Sequence, residues 1–148
     1  MFMVIKIKKI LVPYDATPSS EKAVKKVLPL IEKHDSKILF LSCVHDKATF
    51  GFFKTKSDKR EIAKEKKKAE RHHERLKKEA AKFGIPSSSK IIKSDLESKS
   101  IIEYAKDQNA DLIVMSKSKI GTHAEKMYYN STVDAVFKKT PCPFLYIP

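Results

Sequence analysis

Only three glycines occur among the 148 residues, and glycine is the residue that lets a backbone take positive φ and approach a ligand closely. A tightly wrapped, glycine-lined anion loop is therefore not available in its usual form. Cysteine is nearly as scarce. Cys43 and Cys142 lie in apolar runs without CxxC spacing, which excludes a disulfide framework and reads as two small buried thiols of a reducing compartment. Apolar runs are short throughout, none approaching about 18 residues. The first nine residues alternate apolar and cationic side chains, unlike the continuous apolar core of a signal peptide, so the expected location is cytoplasmic and no membrane association is expected. Chemistry-bearing motifs are also missing. There is no G-x-S-x-G elbow to anchor a serine nucleophile. The five histidines, His34, His45, His72, His73 and His123, form neither H-E-x-x-H nor a Cys/His zinc pattern, so no metal site is expected.

What the chain does have is charge. Its formal net charge is +13, and its 41% hydrophobic content suffices for one core, which is read as a single domain over residues 1–148. Between Lys54 and Lys82 stand 13 Lys/Arg against 6 Asp/Glu, about half of the whole excess. Such a segment is either a solvated helix face or a surface for nucleic acid or an acidic partner. Aromatic residues are not interleaved with these charges, so base stacking is unsupported and only backbone electrostatics would remain.

Five apolar runs alternate with helical patterns, which predicts βα units around a mostly parallel sheet. Ile10 to Tyr14 is the first strand, and Thr17-Pro18 predicts a capped helix start whose apolar face passes Pro29. Ile38 to Val44 is apolar nearly throughout, as in a strand covered on both faces. It leads to Phe50, Phe52 and Phe53, which either pack the following loop or form an exposed patch. A long helix is predicted from Ser57 to Phe83, ended by Gly84, with Ile62, Lys66, Ala69, His73, Leu76, Ala80 and Phe83 on one stripe. Lys90 to Lys93 is a short strand, and Asp95 is placed as the cap of the next helix. Asp111 to Met115 is the fourth full strand. Ser131 and Asp134 have capping-box spacing, which predicts a helix from Ser131 to about Lys139. Phe144 to Ile147 closes the chain as a strand after Pro141 and Pro143.

The segment after the fourth strand, Ser116-Lys117-Ser118-Lys119-Ile120-Gly121 followed by Asn130-Ser131-Thr132, occupies the strand-loop-helix position where α/β proteins bind phosphate. Together with Lys9-Ile10-Leu11-Val12-Pro13-Tyr14-Asp15, Ala110-Asp111-Leu112-Ile113-Val114-Met115 and Thr140-Pro141-Cys142-Pro143-Phe144, it resembles the universal stress protein family over almost the whole chain. The resemblance implies a doubly wound, five-stranded parallel sheet of Rossmann-like, adenine nucleotide alpha hydrolase-like type, and a homodimer joined along the last strand. It also implies an adenine nucleotide, ATP or AMP, with Asp15 at the ribose and the Cys43 or Val44 backbone at the base. Ser116, Lys117, Lys119, Ser131 and Thr132 would lie near phosphate. In nucleotide-binding members a glycine follows the fourth strand, a second comes three residues later, and Gly-Ser or Gly-Thr follows after nine more. Here those positions are Ser116, Lys119 and Asn130-Ser131, with ten residues intervening.

Two readings of the loop stay open. A serine or lysine in the left-handed region costs roughly 1 kcal/mol, which opposes a wrapped triphosphate, whereas Lys117 and Lys119 can act as point charges on phosphate oxygens. Ser131 is either a phosphate contact or a structural helix cap. The function expected is a stress-response or regulatory binding module. Its rivals are an interaction protein using the basic helix with the pocket empty, and a weak nucleotide phosphohydrolase in which Asp15 holds Mg²⁺.

Overall fold

The computed structural model describes residues 6–45, 56–117 and 122–148. Strands β1 (Lys9–Pro13), β2 (Lys37–His45), β3 (Ser87–Ser94), β4 (Leu112–Ser116) and β5 (Phe144–Ile147) alternate with helices α1 (Pro18–Ile31), α2 (Lys56–Lys82), α3 (Glu97–Asp107) and α4 (His123–Lys139). Every ladder is parallel, and the strand order is β3-β2-β1-β4-β5. The five-stranded, Rossmann-like α/β fold expected from the sequence is present. Because β4 returns to the far side of β1, the direction of winding reverses there, and in open α/β sheets the crevice beyond the strand ends at that reversal is where ligands bind.

Consecutive strand residues serve opposite faces, which is why these strands read as unbroken apolar runs. Ile10, Val12, Phe40 and Val114 pack towards α1 and α2. Leu11, Leu41, Ile113 and Met115 pack towards α3 and α4. The same alternation later decides which side chains can reach the site.

The helix ends follow local chemistry. Thr17 caps α1 by accepting from the Ser20 N–H at 3.3 Å, with Pro18 at the first helical position, where its missing N–H costs nothing. Gly84, at φ 69°, ends α2. The Ile85 N–H donates to the Ala80 carbonyl at 3.0 Å and the Gly84 N–H to the Ala81 carbonyl at 2.9 Å, which is a Schellman closure. Asn109, at φ 53°, closes α3 in the same way, with Ala110 N–H on the Ala105 carbonyl at 2.9 Å and Asn109 N–H on the Lys106 carbonyl at 3.1 Å.

Three local expectations are corrected. Helix α4 starts at His123, not Ser131, so Ser131 lies well inside it on an exposed position. Inside a helix the Ser131 N–H is taken by the preceding turn, so the capping-box spacing has no cap to make there, and the Asp134 carboxylate pairs with Lys117 instead. The α3 N-cap is Leu96 rather than Asp95. Ser94 Oγ accepts the Leu96 N–H at 3.1 Å, which holds the turn before the helix, while no side chain caps α3 itself. In the α2 stripe, His73, Leu76 and Ala80 are buried but Lys66 is exposed, since a lysine in that row keeps its ammonium in water.

Candidate functional site

The carboxyl end of β1 turns sharply. Ala16 sits at φ 64°, the left-handed region that disfavours any residue with a Cβ. Asp15 stabilises that turn, its Oδ1 accepting from the Thr17 N–H at 3.1 Å and from the Thr17 hydroxyl. The carboxylate is thereby fixed at the mouth of a cleft beside the winding reversal, on the α3–α4 side of the sheet.

The cleft takes its floor from Pro13, Leu41 and Met115 and its walls from Cys43, Glu97 and Thr132. It encloses about 320 Å³ of empty space with its open mouth included, at the small end of the usual range for small-molecule sites.

Glu97 is the residue that sequence reasoning missed. It is the first residue of α3, and a glutamate there reads as an ordinary helix-dipole partner. Its only sequence signal is that position, opposite the carboxyl ends of the strands. In the fold it lines the cleft with Asp15, and burial, then the nearby Asp15 charge, pushes its carboxyl up to about 7. Burial and then the Glu97 charge push the Cys43 thiol up to about 12, so Cys43 is an uncharged wall and not a nucleophile.

The remaining predicted site residues divide by strand alternation. Cys43 faces the cleft, whereas Val44 is buried and turns its side chain to the opposite face, leaving only its backbone for a ligand. Ser116 is fully buried on β4, one residue beyond the cleft-lining Met115, and its Oγ has no hydrogen-bond partner among the described residues. Lys117 pairs with Asp134 at 2.8 Å, and that bond raises its pKa. Thr132 lies on the cleft wall, while Ser131 is exposed on α4. The N–H of a residue that deep in a helix is used by the preceding turn, which removes it as a phosphate donor. Lys119 and the aromatics Phe50, Phe52 and Phe53 lie outside the described residues.

A polar network supports the Asp15 turn from the other face. Ser42 Oγ donates to the Tyr14 carbonyl at 2.7 Å and lies 2.7 Å from His73 Nε2. One hydroxyl proton serves only one acceptor, so His73 Nε2 carries the other proton and fixes the tautomer. Burial holds His73 down at about 4, with Lys77 and His72 adding to the effect. The Tyr14 hydroxyl donates to Glu21 and accepts from Arg75 at 2.9 Å, and Arg75 also pairs with Glu21 and Glu79. Burial first, then Glu21, raises the Tyr14 pKa. Helices α1 and α2 are thus both tied to the residue before Asp15.

Among the described residues no group of three or more His, Cys, Asp or Glu is placed to hold a metal, and no helix is long and apolar enough to cross a membrane.

Solved structures with this fold include the universal stress protein UspA of Lactobacillus plantarum, 21% identical over 98% of this chain and 100% of that one, with a TM-score of 0.82. A universal stress protein family member of Arabidopsis thaliana with AMP bound is 19% identical over 95% and 90% of the chains, with a TM-score of 0.70. The universal stress protein of Archaeoglobus fulgidus in complex with dAMP is 14% identical over 98% and 100%, with a TM-score of 0.64. No curated protein matches the chain significantly. The profile of the universal stress protein family matches residues 6–148, and with that span of sequence and this fold the chain belongs to the universal stress protein family.

Proposed function

We propose that this protein is a cytoplasmic, regulatory binding module of one domain that holds an adenine nucleoside or nucleotide in the cleft beyond β1 and β4. One observation carries the reading. The Asp15 turn is held in a strained, fully braced conformation at the winding reversal, beside a cleft of the right class, and strain of this kind persists where the surrounding structure sustains it for a purpose. The AMP and dAMP complexes of proteins with the same fold support the choice of ligand. In this reading Asp15 Oδ1 stays with Thr17 and Oδ2 takes a ribose hydroxyl. The Cys43–Val44 backbone meets the base, and Thr132 hydrogen-bonds at the mouth. Phosphate depends on Lys117 leaving Asp134 and on Lys119, because Ser116 faces away and the Ser131 N–H is used within α4. AMP is accordingly favoured over ATP, and no bound Mg²⁺ is required. A homodimer would pair along β5, an edge strand of the described sheet whose Tyr146 is exposed.

Calorimetric titration with AMP and ATP tests the reading. Saturable heat with AMP is expected, and Asp15→Ala should weaken it at least tenfold. No heat from either ligand at millimolar concentration would overturn it.

The basic surface of α2 supports a second reading, an electrostatic contact with nucleic acid or an acidic partner. Arg60, Lys64, Lys67, Lys68 and Arg71 are all exposed along it. Binding to mixed nucleic acid should then fall steeply between 50 and 200 mM salt. Affinity that hardly changes over that range would rule it out.

A further inference from the structure

The cleft contains a group that the family resemblance did not lead us to expect. Glu97 enters from α3, Asp15 from the end of β1 and Cys43 from β2. Asp15 and Glu97 each bring a carboxyl, but Asp15 is committed to Thr17 and to the turn. Thr132 is the other polar residue of the lining, and Pro13, Leu41, Ile101 and Met115 make the rest of it apolar. The cleft is small, about 320 Å³ with its open mouth included, so a planar base entering it would bring its polar edge within reach of the Glu97 carboxyl on its lining.

We propose that Glu97 is the specificity-determining residue of this site, its carboxyl reading the hydrogen-bonding edge of the base and selecting adenine over guanine. This deepens the function proposed above and rests on a nucleoside occupying the cleft.

The chemistry follows from donor and acceptor counting. A protonated carboxyl has one O–H donor and one carbonyl acceptor. That pair complements adenine, which offers a ring-nitrogen acceptor beside the N6 amino donor, in the same way that the Asn or Gln amide does in groove recognition. An ionised carboxylate has acceptors only. It complements guanine, whose N1–H and N2 amino group are two adjacent donors, and it leaves the adenine ring nitrogen facing a negative charge. A site whose buried polar groups are left unmatched rejects the wrong ligand strongly.

The protonated form is accessible near neutral pH because burial and Asp15 hold the Glu97 carboxyl up to about 7. The titratable groups facing it are Asp15 and Cys43. Burial keeps Cys43 neutral well above that pH, so Glu97 sets the response in this range. Adenine preference should accordingly fade as the pH rises, and guanine should gain.

The test is calorimetric titration of the full chain with adenosine and with guanosine at pH 6 and pH 8. Nucleosides are used because a phosphate monoester titrates near pH 6 itself. Adenosine affinity should drop about tenfold from pH 6 to pH 8 as the acid form of Glu97 is lost, while guanosine affinity rises. Glu97→Gln, a fixed copy of the acid form, should keep adenosine affinity at both pH values. Glu97→Ala should lose the adenosine preference. An adenosine-to-guanosine ratio that is the same at both pH values in the unmodified protein, and unchanged in Glu97→Ala, overturns the assignment while leaving the nucleoside site standing. Failure of both nucleosides to bind at millimolar concentration overturns the site and the assignment together.

Discussion

Ala16 is the most constrained residue near the site. A left-handed alanine costs roughly 1 kcal/mol, and a β-branched side chain fits that region worse. Ala16→Val is expected to destabilise the protein by about 1–2 kcal/mol in urea unfolding. Ala16→Gly should fall within about 0.5 kcal/mol of neutral, because relief of strain is offset by the freer unfolded chain. Two titratable groups, buried His73 and half-buried Glu97, pull the pH profile in opposite senses. His73 is depressed to about 4 from an ordinary 6.5, so its neutral form is favoured by folding. Its contribution is complete above pH 6.5 and is lost, by roughly 3 kcal/mol, as the pH falls to 4. Glu97 is raised to about 7 from 4.5. Its contribution is complete below pH 4.5 and is lost as the pH rises to 7. Glu97→Gln should therefore be more stable than the unmodified protein at pH 7.5, with a steeper loss of stability between pH 6.5 and 4.5. Unfolding curves at those three pH values check both statements. Neither group announces itself in the sequence, where His73 is one member of a helical stripe and Glu97 one acid in a first turn. Their roles arise from what the fold places opposite them.

Element positions are legible wherever the local signal and the burial pattern agree. The apolar runs of β1, β2 and β4 are covered on both faces, and Thr17-Pro18 and Gly84 mark helix ends by their own backbone chemistry. Strand β3 is longer than its apolar residues suggest, running from Ser87 because three serines pair in register with Ile38, Leu39 and Phe40 of β2. A capping box is a local pattern, and its spacing at Ser131 and Asp134 falls inside α4, which starts at His123. Val133 and Val136 bury the helix from its middle, and Lys117 draws Asp134 away from any capping role. Reading a helix start at Ser131 carries over to the site, since it gives Ser131 an N–H that the helix already uses. Gly84 offers a clean test of backbone chemistry. A Cβ there meets nothing within 4 Å, so the cost of Gly84→Ala is purely conformational, about 1 kcal/mol of stability. A loss well above 2 kcal/mol would mean that the substitution disturbs packing as well as the turn.

At the scale of the whole molecule, the two parts of the sheet are joined unequally. Strand β1 pairs with β2 at five positions, from Lys9 with Lys37 to Pro13 with Leu41. It meets β4 in register only at Ile10 with Leu112 and Leu11 with Ile113. The β1–β4 seam is therefore the short one, and the cleft lies across its open end. A molecule seated there touches Asp15 and Cys43 on one bank and Met115 and Thr132 on the other. In the proposed reading, occupancy would act as a clasp over this short seam, which Asp111 already reinforces at its other end by accepting from the Lys8 and Lys9 N–H groups. Amide hydrogen exchange in the presence of saturating adenosine should slow in β4 and β5 more than in β3, since only the former are held to β1 through that seam. Such a clasp would carry news of the ligand sideways through β4 to the outer strand β5, the edge along which the proposed dimer would form.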